Sequence, residues 1–463
     1  MAPTATTVDG ALPSASTNLG PFHACAACGH EGWSAAVASS REAAGTTRSL
    51  PSDLPTVAAG AWGKLAQLAA KFTKALDGDM RPLSLALHGR PELGFEESFA
   101  ADTLCTYLER LPGWHVERGI CSLPTAWSAS WTSPHGAGER TVGFNSEMDA
   151  LPEIGHGCGH NLIAVAGVAA ALGTARALEA CQLPGRVVLL GTPAEEGGGG
   201  KCYLLDGGAY GDMDACFMVH PSPFHVLGSS LAIKRVSVTF RGKTAHAAAT
   251  PWAGINALDA AVLAYNGVSV LRQQTEDKVR IQGIVLPEPS WVQNVIPDVA
   301  RLSYGVRAPT YTQVDRYLQR VCDCFEGAAR ATGCTVEFHV DAVGYEEILY
   351  NAPLGNIYEE YMTATEGVTV LRDVPFSGST DFGNVTQRLP GLHPIYAIPV
   401  KDSQRDANHT VAFHTAAGTP EAHAETMKSA AGIAVAAALF AADAHFAGVV
   451  AEHWKKDQQQ EKK

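Results

Sequence analysis

The chain has 463 residues, 46% of them apolar, with a formal net charge of −13 and a pI of about 5.7. That length is too great for one ordinary core, so we expect two domains or one large elaborated domain. The acidic balance excludes nucleic acid as a standing partner, because phosphate binding needs a basic surface. A small anionic substrate stays compatible with it, since one local arginine outweighs the global sign.

The cysteines and the apolar runs bear on the compartment. The 11 cysteines are scattered without the spacing of a disulfide framework, so we expect reduced thiols. The N-terminus lacks the basic and apolar regions of a secretory signal. No apolar run reaches the roughly 18 residues that a membrane helix needs. We therefore expect a cytoplasmic protein without a membrane partner.

The first 55 residues are rich in Ala, Ser, Thr, Gly and Pro and poor in large apolar side chains. Such a segment cannot bury enough surface to offset its ordering entropy, so residues 1–55 are expected to be a poorly ordered extension. Their Cys25, Cys28 and His30 could form half a zinc site. Because no second Cys/His pair follows at finger spacing, a non-catalytic stretch is the favoured interpretation.

Residues 56–231 are predicted to form the first part of a large α/β domain. An amphipathic helix is expected over 61–88, and a buried Ala-rich helix over 161–180. Apolar runs predict strands over 141–149, 185–196 and 214–221. This alternation of strands and helices is typical of an α/β fold with a mixed, mostly parallel sheet between helices.

Residues 232–344 follow a different pattern. The predicted strands lie over 233–242, 278–286, 299–308 and 335–341, and the helices over 256–274 and 311–333. The order β-α-β-β-α-β is that of a ferredoxin-like α+β unit. After residue 345 helices and short strands return, closing with an Ala-rich helix over 420–454. We therefore predict that 232–344 is a small unit inserted into the larger α/β domain, whose second part is 345–463.

The string "HGCGHNL" places Cys158 and His160 on either side of one glycine. Residues two apart converge only in an extended or turn backbone, which Gly159 permits. A helix starting near Asn161 would bring its positive end close and lower the pKa of the thiol. Alone, the string fits a metal site and a buried cysteine beside a satisfied histidine equally well.

The string "TPAEEGGGGK" places Glu195 and Glu196 directly after an apolar strand. Adjacent residues there point to opposite sides, so one can bind a metal while the other faces a substrate. Ligands gather at the carboxyl ends of strands in open α/β sheets. A phosphate loop is rejected, because Cys202 stands where Ser or Thr is required.

Histidines complete a candidate metal site. His220 ends the apolar run "CFMVH", and His409 and His414 precede the last helix, with nothing in the spacing to choose between those two. With His409 the candidate ligands are Cys158, His160, Glu196, His220 and His409. Five ligands exceed one tetrahedral zinc and fit two divalent ions that share a bridge. Glu195 is then left as a general base.

Seven strings occur in the order known from one family: "LHGRPELGFEE", "SEMDALPEIGHGCGHN", "TPAEEGGGGK", "GKTAHAAATPWAGINALDA", "NVIPDVARLSYGVRA", "GSTDFGNV" and "HTVAF". The chain resembles the amidohydrolase branch of the aminoacylase/carboxypeptidase dinuclear metallopeptidases, from about residue 60 to 454. Relatives include auxin-conjugate and aminobenzoyl-glutamate hydrolases. The likeness is greatest to intracellular dipeptidases that act on Xaa-Lys, Xaa-Arg and β-alanyl dipeptides.

The resemblance implies roles for the ligands. It implies a bridging thiolate at Cys158, with His160 and Glu196 on one metal side and His220 and His409 completing the pair. Glu195 would be the general base, and Asp149 would orient a ligand. A thiolate bridge favours zinc, while imidazole and carboxylate ligands also admit manganese or cobalt.

The resemblance also implies substrate contacts. His246 would reach a neighbouring subunit's site and stabilise the oxyanion. The inserted unit 232–344 would then be a lid and dimerisation domain of a homodimer, with hinges near 231 and 344, and 56–231 and 345–463 would be the two parts of the catalytic domain. Asn294 and Arg307 would hold the free carboxylate of the substrate. An interface role for His246 and a structural ion pair for Arg307 are the alternatives. Asp381 either orients the substrate or caps a turn.

The expected function is metal-dependent hydrolysis of an amide bond in a dipeptide or N-acyl amino acid with a free carboxylate. The alternative substrates are N-acyl or aryl amino acid conjugates, and the alternative class is a non-catalytic scaffold. A dipeptidase must accommodate an amino group, so its pocket should carry an acidic residue. An acyl amidase should carry an apolar pocket.

Overall fold

The structure is a computed structural model, and it describes residues 60–372, 374 and 378–461. The extension predicted over residues 1–55, with Cys25, Cys28 and His30, lies outside the described residues.

The described residues form helices and strands in alternation. The helices are α1 Gly60–Lys74, α2 Asp77–Gly89, α3 Ser98–Glu109, α4 His160–Ala180, α5 Gly200–Asp206, α6 Ala257–Leu271, α7 Tyr311–Thr332, α8 Ala352–Glu366, α9 Phe382–Thr386, α10 Val411–Ala417, α11 Pro420–Ala442 and α12 Ala444–Glu461. The strands are β1 Trp114–Arg118, β2 Trp127–Thr132, β3 Thr141–Glu147, β4 Arg186–Thr192, β5 Ala215–Phe217, β6 His220–Ser222, β7 Val226–Leu227, β8 Ala232–Arg241, β9 Arg280–Leu286, β10 Val299–Ala308, β11 Thr335–Val340, β12 Leu371–Arg372, β13 Gly391–Leu392 and β14 Ile395–Ala397.

A six-stranded sheet forms the centre of the molecule, in the order β1-β2-β4-β3-β5-β13. The pairs β3–β4, β3–β5 and β5–β13 are parallel, and the pairs β1–β2 and β2–β4 are antiparallel. Every residue of β3 is buried, because helices cover this part of the sheet. The mixed, mostly parallel sheet and the α/β class are as predicted.

Two apolar helices form much of the main core. Helices α4 and α11 pack against each other, and both also pack against α1. By length and composition alone each could cross a membrane, yet 94% and 83% of their apolar windows lie buried inside the molecule. Their small alanine side chains allow this close approach, so the two helices serve as the core on which the sheet edge with the functional side chains is built.

Residues 232–340 form a second sheet with its own core, called here the small unit. Its strand order is β11-β8-β10-β9, and all neighbouring pairs are antiparallel. Helices α6 and α7 cover one face, where Val238, Leu302 and Phe325 are buried. Its elements follow one another as β-α-β-β-α-β. A third, small sheet in the order β12-β7-β14-β6 carries His220 at the start of β6.

Two predicted helices are each broken in two. The helix predicted over 61–88 ends at Lys74 and resumes at Asp77, where Asp77 and Gly78 are weak helix formers. The helix predicted over 420–454 stops at Ala442, since Asp443 has an extended backbone. The Asp443 carboxylate accepts hydrogen bonds from the backbone N–H groups of His445 and Phe446, so it caps a new helix instead of continuing the old one.

The strand predicted over 214–221 is also divided. Its first half is β5 in the central sheet, and its last residues begin β6 in the third sheet. The chain changes sheets at Met218 and Val219, which lie in neither strand. His220 therefore opens a strand beside β14 instead of closing the strand in the central sheet.

Candidate metal centre

Cys158 and His160 sit at the turn that opens α4. Gly159 has a φ of +82°, and a Cβ at this position would lie 2.6 Å from Pro221 Cγ. Only glycine fits that approach, which places the thiol and the first helical residue against the start of β6. The distance from Cys158 Sγ to His220 Nε2 is 3.4 Å. The tight geometry predicted for "CGH" is what brings these side chains together.

A glycine turn after β4 positions both glutamates. Ala194 has a φ of +57°, and its N–H donates to Glu97 Oε1 at 2.8 Å. The backbone N–H groups of Gly198 and Gly199 both donate to the Ala194 carbonyl at 3.0 and 2.8 Å. The turn closes tightly enough that a Cβ on Gly200 would lie 1.9 Å from Pro193 O. Glu195 and Glu196 are thereby held at the end of the strand.

The predicted ligands converge into overlapping sets. One set is Cys158, His160 and His220, a second is Cys158, Glu196 and His409, and a third is Glu147, His160 and Glu195. Within each set the ligand atoms lie within 4.8 Å of one another. Cys158 belongs to two sets, as a bridging thiolate requires. The division differs from the one that the resemblance implies, because His160 groups with His220, and Glu196 with His409.

Several of these buried atoms have no hydrogen-bond partner among the described residues. They are His160 Nε2, Glu147 Oε2 and Glu196 Oε1. His160 Nε2 lies 3.5 Å from Glu147 Oε2 and 3.8 Å from Glu196 Oε1. Buried polar atoms are normally paired, so their convergence with a thiol and imidazoles fits divalent metal ions. Thiolate, imidazole and carboxylate groups are the side chains that bind such ions in proteins.

The ligand histidines are oriented by bonds from their other ring nitrogens. His160 Nδ1 donates to Asp149 Oδ1 at 3.0 Å, and His220 Nδ1 donates to the Pro221 carbonyl at 2.8 Å. Each bond leaves Nε2 directed at the site, as in other protein metal centres. The second oxygen of Asp149 accepts the N–H of Glu196 at 2.9 Å, so Asp149 orients two ligands at once.

His409, and not His414, reaches the site. His409 has a φ of +68°, and its N–H donates to the Gly157 carbonyl at 2.8 Å. Its Nε2 lies 3.5 Å from Glu196 Oε1. His414 instead stacks on His88, with ring centroids 4.2 Å apart.

A buried ion triad lies beneath the ligands. Lys201 Nζ donates to Glu147 Oε1 and to Asp381 Oδ1, each at 2.6 Å, and all three side chains are fully buried. The Lys201 backbone N–H also donates to Asp381 Oδ2 at 3.0 Å. Both Asp381 oxygens are therefore used, and its side chain does not cap α9. This position supports neither of the roles considered for Asp381, substrate orientation or turn capping.

Burial and charge set the acidity of the key groups. Burial and Glu196 raise the pKa of the Cys158 thiol, but His220 and His409 outweigh them and lower it to about 6. The thiolate form that metals require is thus favoured. Burial, followed by the charges of Glu147 and Glu196, raises the pKa of Glu195 well above 4.5.

A cavity of about 500 Å³ opens over these ligands. Glu195 lines it and is only 6% exposed, and Tyr345 OH donates to the Glu195 backbone carbonyl at 2.7 Å. Arg307 also lines the cavity and donates to Ser379 Oγ at 2.9 Å. The cavity therefore joins a candidate base to a candidate carboxylate binder.

His246 and Asn294 lie together but outside the cavity of their own chain. Both are exposed, and the Ala247 N–H donates to the Asn294 carbonyl at 3.0 Å. His246 Nδ1 accepts from the N–H groups of Ala248 and Ala249, so the proton of the neutral ring is on Nε2. That nitrogen is ready to donate, and their predicted roles in a partner's site stay predictions.

Sequence reasoning missed His393, which lines the cavity beside the ligands. Its ring lies 5.8 Å from that of His220, centroid to centroid, and neither ring nitrogen has a hydrogen-bond partner among the described residues. Burial, and then the charge of His220, lowers the pKa of His393 to about 3, so the ring is neutral at pH 7. The string "GLHP" gave no signal for it.

An α/β fold with convergent metal ligands, a buried carboxylate and a substrate-sized cavity defines a metal-dependent hydrolase. Residues 143–432 match peptidase family M20/M25/M40. The chain belongs to that family, which confirms the resemblance found from the sequence.

Relatives agree with this assignment. The Xaa-Arg dipeptidase of Mus musculus is 43% identical over 368 residues, covering 77% of this chain and 84% of that protein. A p-aminobenzoyl-glutamate hydrolase chain of Escherichia coli K12 is 34% identical over 270 residues, covering 54% of this chain and 55% of that protein. A dinuclear metal-binding peptidase of Bacillus subtilis shares the fold at a TM-score of 0.56 and 20% identity, covering 78% of this chain and 98% of that chain.

Proposed function

We propose that the protein is a metal-dependent dipeptidase that cleaves dipeptides with a C-terminal basic residue. The observation that carries the proposal is the pair of ligand sets sharing Cys158, with Glu195 beside them at the floor of the cavity. The likeness to a protein named Xaa-Arg dipeptidase supports the substrate class. The more general activity, hydrolysis of an amide bond in a dipeptide or N-acyl amino acid, does not depend on which substrate is preferred.

The chain's own residues perform the proton transfers. The ligand sets would hold divalent ions, which would supply Lewis acidity by lowering the pKa of water and polarising a carbonyl oxygen. Glu195 takes a proton from the attacking water and passes it to the departing amine, for which a raised pKa is suitable. Arg307 holds the substrate carboxylate through its forked guanidinium. Enclosure in the cavity strengthens each of these contacts.

Zinc is the proposed metal, because a thiolate at Cys158 favours it, while the carboxylates and imidazoles also admit manganese or cobalt. The test is to strip the protein with a chelator and restore each metal alone. Amino acid release from Ala-Arg and β-alanyl-lysine is then measured. Activity should vanish on chelation and return with at least one of the three. Absence of release from any dipeptide with every metal would refute the dipeptidase assignment.

An amidohydrolase of N-acyl or aryl amino acids is the second candidate. Leu93, Phe95 and Phe224 give the cavity an apolar side, and the aminobenzoyl-glutamate hydrolase relative supports it. The same metal-restored protein should be offered N-acetyl-arginine and aminobenzoyl-glutamate. A kcat/KM higher for these than for the dipeptides would select this candidate.

We also propose a homodimer formed through the small unit. Val262 and Val270 lie eight residues, about two turns, apart on α6 and are 47% and 72% exposed. Exposed apolar residues grouped in this way are typical of an interface. Sedimentation should give a dimer that Val270→Asp weakens. A wild-type protein that stays monomeric at all concentrations would refute the proposal.

Mixing two inactive variants tests His246 in the same dimer. If His246 acts in the partner's site, Glu195→Gln and His246→Asn subunits complement each other, because the mixed dimer has one intact site. Random exchange should then restore about a quarter of wild-type activity. No recovery after verified exchange would show that His246 does not act in the partner's site.

We propose a cytoplasmic location from the state of the cysteines. All nine described cysteines are free thiols, including buried Cys105 and Cys216. Reduced thiols are typical of the cytoplasm. Fractionation of the source cells with an antibody would test it, and recovery in a secreted fraction would overturn it.

A further inference from the structure

The wall of the cavity that faces away from the metal ligands carries a charge pattern of its own. Three charged side chains line it there, and all belong to the small unit or directly follow its last strand: Arg235, Arg307 and Asp341. Among the described residues that line the cavity, Asp341 is the only carboxylate outside the metal centre. Of the three, only Arg307 was expected from the sequence.

The strand register places these three side chains on one face of the small sheet. Ile233 on β8 is opposite Arg307 on β10, and Arg235 is two residues further along β8, so both arginines point the same way. Val340 on β11 is opposite Val236, and the Asp341 N–H continues the ladder by donating to the Arg235 carbonyl at 3.0 Å. Asp341 therefore shares that face, opposite the one that α6 and α7 cover.

The charges run in a fixed order across neighbouring strands: negative at Asp341, positive at Arg235 and positive at Arg307. Adjacent strands lie about 4.8 Å apart and residues rise about 3.4 Å along a strand, so the Asp341 and Arg307 backbones, two strands and two residues apart, are separated by roughly 12 Å. That span suits a molecule with an anionic and a cationic end, such as a lysine or arginine residue with a free carboxylate.

Asp341 is also short of protein partners. It is partly exposed, and the charges that act on its carboxylate are those of Arg235 and His339, through space and without a hydrogen bond from either among the described residues. Burial raises its pKa, which is the behaviour of a carboxylate that lacks a close cation. A bound cation would provide that partner.

We propose that Asp341 is a specificity-determining residue that binds the cationic group of the substrate while Arg307 binds its carboxylate. The inference rests on the proposed dipeptidase function and adds the residue that selects for charge. Two parts of a substrate could supply the cation, the basic side chain or the terminal ammonium. Both would donate charge-assisted hydrogen bonds to the same carboxylate.

The test compares Asp341→Asn with wild type on four substrates: Ala-Arg, Ala-Leu, Ala-Glu and N-acetyl-arginine. If the side chain is recognised, kcat/KM should fall about 10- to 100-fold for Ala-Arg and N-acetyl-arginine and stay unchanged for Ala-Leu. If the terminal ammonium is recognised, Ala-Arg and Ala-Leu should fall and N-acetyl-arginine should not. In the first case Ala-Glu should become a better substrate, a gain that a misfolded variant could not show.

Asp323→Asn, on an exposed part of α7 in the same unit, is the matched control and should behave as wild type. Equal kcat/KM values for wild type and Asp341→Asn on all four substrates would overturn the role of Asp341 while leaving the dipeptidase function intact. A wild-type protein that hydrolyses none of them with any metal would instead overturn the proposed function and this inference with it.

Discussion

The cavity has two parts that use charge in different ways. Its floor consists of the metal ligands and the charged groups beneath them, and its wall carries Arg235, Arg307 and Asp341. On the floor, the charged groups are buried and paired with one another. Lys201 binds two carboxylates, and Asp149 accepts hydrogen bonds from the His160 ring and from the backbone N–H of Glu196. On the wall, Arg235 and Asp341 are partly exposed and face the cavity. The floor belongs to the larger α/β part of the molecule and the wall to the small unit or the residue that follows its last strand.

This difference separates two tasks. Catalytic groups need fixed positions, and a network of buried, mutually paired charges fixes them at a cost in desolvation. Recognition needs charges that meet the substrate, and partly exposed side chains keep them available. Substitutions on the floor should therefore lower the stability of the protein or its turnover of every substrate. Substitutions on the wall should instead change which substrates are used.

The largest effect is expected for Glu195→Gln. Loss of the proton carrier should lower kcat about 10²- to 10⁴-fold for all substrates alike, because Glu195 lines the cavity while Glu196 is a candidate metal ligand and Glu147 is paired with Lys201. Steady-state kinetics on Ala-Arg and Ala-Leu with saturating metal would measure it. Glu139→Gln on the surface is the control. A variant with near wild-type turnover would remove Glu195 from the base role.

Lys201→Met should produce the next largest effect, on stability. Without the ammonium, Glu147 and Asp381 remain as unpaired buried carboxylates, which costs about 3–5 kcal/mol. Urea unfolding would measure the loss. Lys428→Met, which breaks a partly exposed ion pair with Glu425, should cost about 1 kcal/mol or less. Equal losses in the two variants would show that the triad is not a special feature of the floor.

How far the sequence predicts this site depends on the separation of the residues. Cys158 and His160 were found because two ligands within three positions leave a local signature. The role of Lys201 was not found from the sequence, because its partners Glu147 and Asp381 lie 54 and 180 residues away in the chain. Its own string resembles a phosphate loop, and nothing local in it points to a buried ion triad. Asp341 is likewise next to Arg235 only through strand pairing.

The fold follows the same rule. The order of strands and helices was predicted from apolar periodicity, which is local. The pairing of strands within each sheet was not predicted, because strands such as β5 and β13 are neighbours in space but far apart in the chain. The broken helix at Asp443 did have a local signal, an aspartate able to cap a new helix, but the apolar pattern on both sides concealed it.

Asp149→Asn should have an intermediate effect on metal binding. An amide can still accept from Glu196 N–H, but it no longer provides the negative charge that holds His160 Nδ1–H. Loss of such an orienting carboxylate typically weakens metal binding about 10- to 100-fold. Competition with a coloured chelator would measure it without reference to activity. Unchanged affinity would mean that the backbone alone positions His160.

The smallest expected effect is the pH dependence that Glu97 gives to the floor. Burial, and then the charge of Asp149, raises the pKa of Glu97 to about 7 from an ordinary 4.5. Because the folded state holds this proton more tightly than the unfolded chain, the stabilisation is fully present below pH 4.5 and is lost as the pH rises through 7. Glu97→Gln should keep an acceptor for Ala194 N–H without titrating.

Urea unfolding of both proteins at several values between about pH 4.5 and 8 provides the measurement. The stability of Glu97→Gln relative to wild type should rise across this window, by an amount on the order of 1 kcal/mol. A parallel Glu117→Gln variant, on an exposed strand, should show no such rise. A flat difference for Glu97→Gln would mean that the folded state does not raise the pKa of Glu97, and that the turn before Glu195 does not depend on a titrating group.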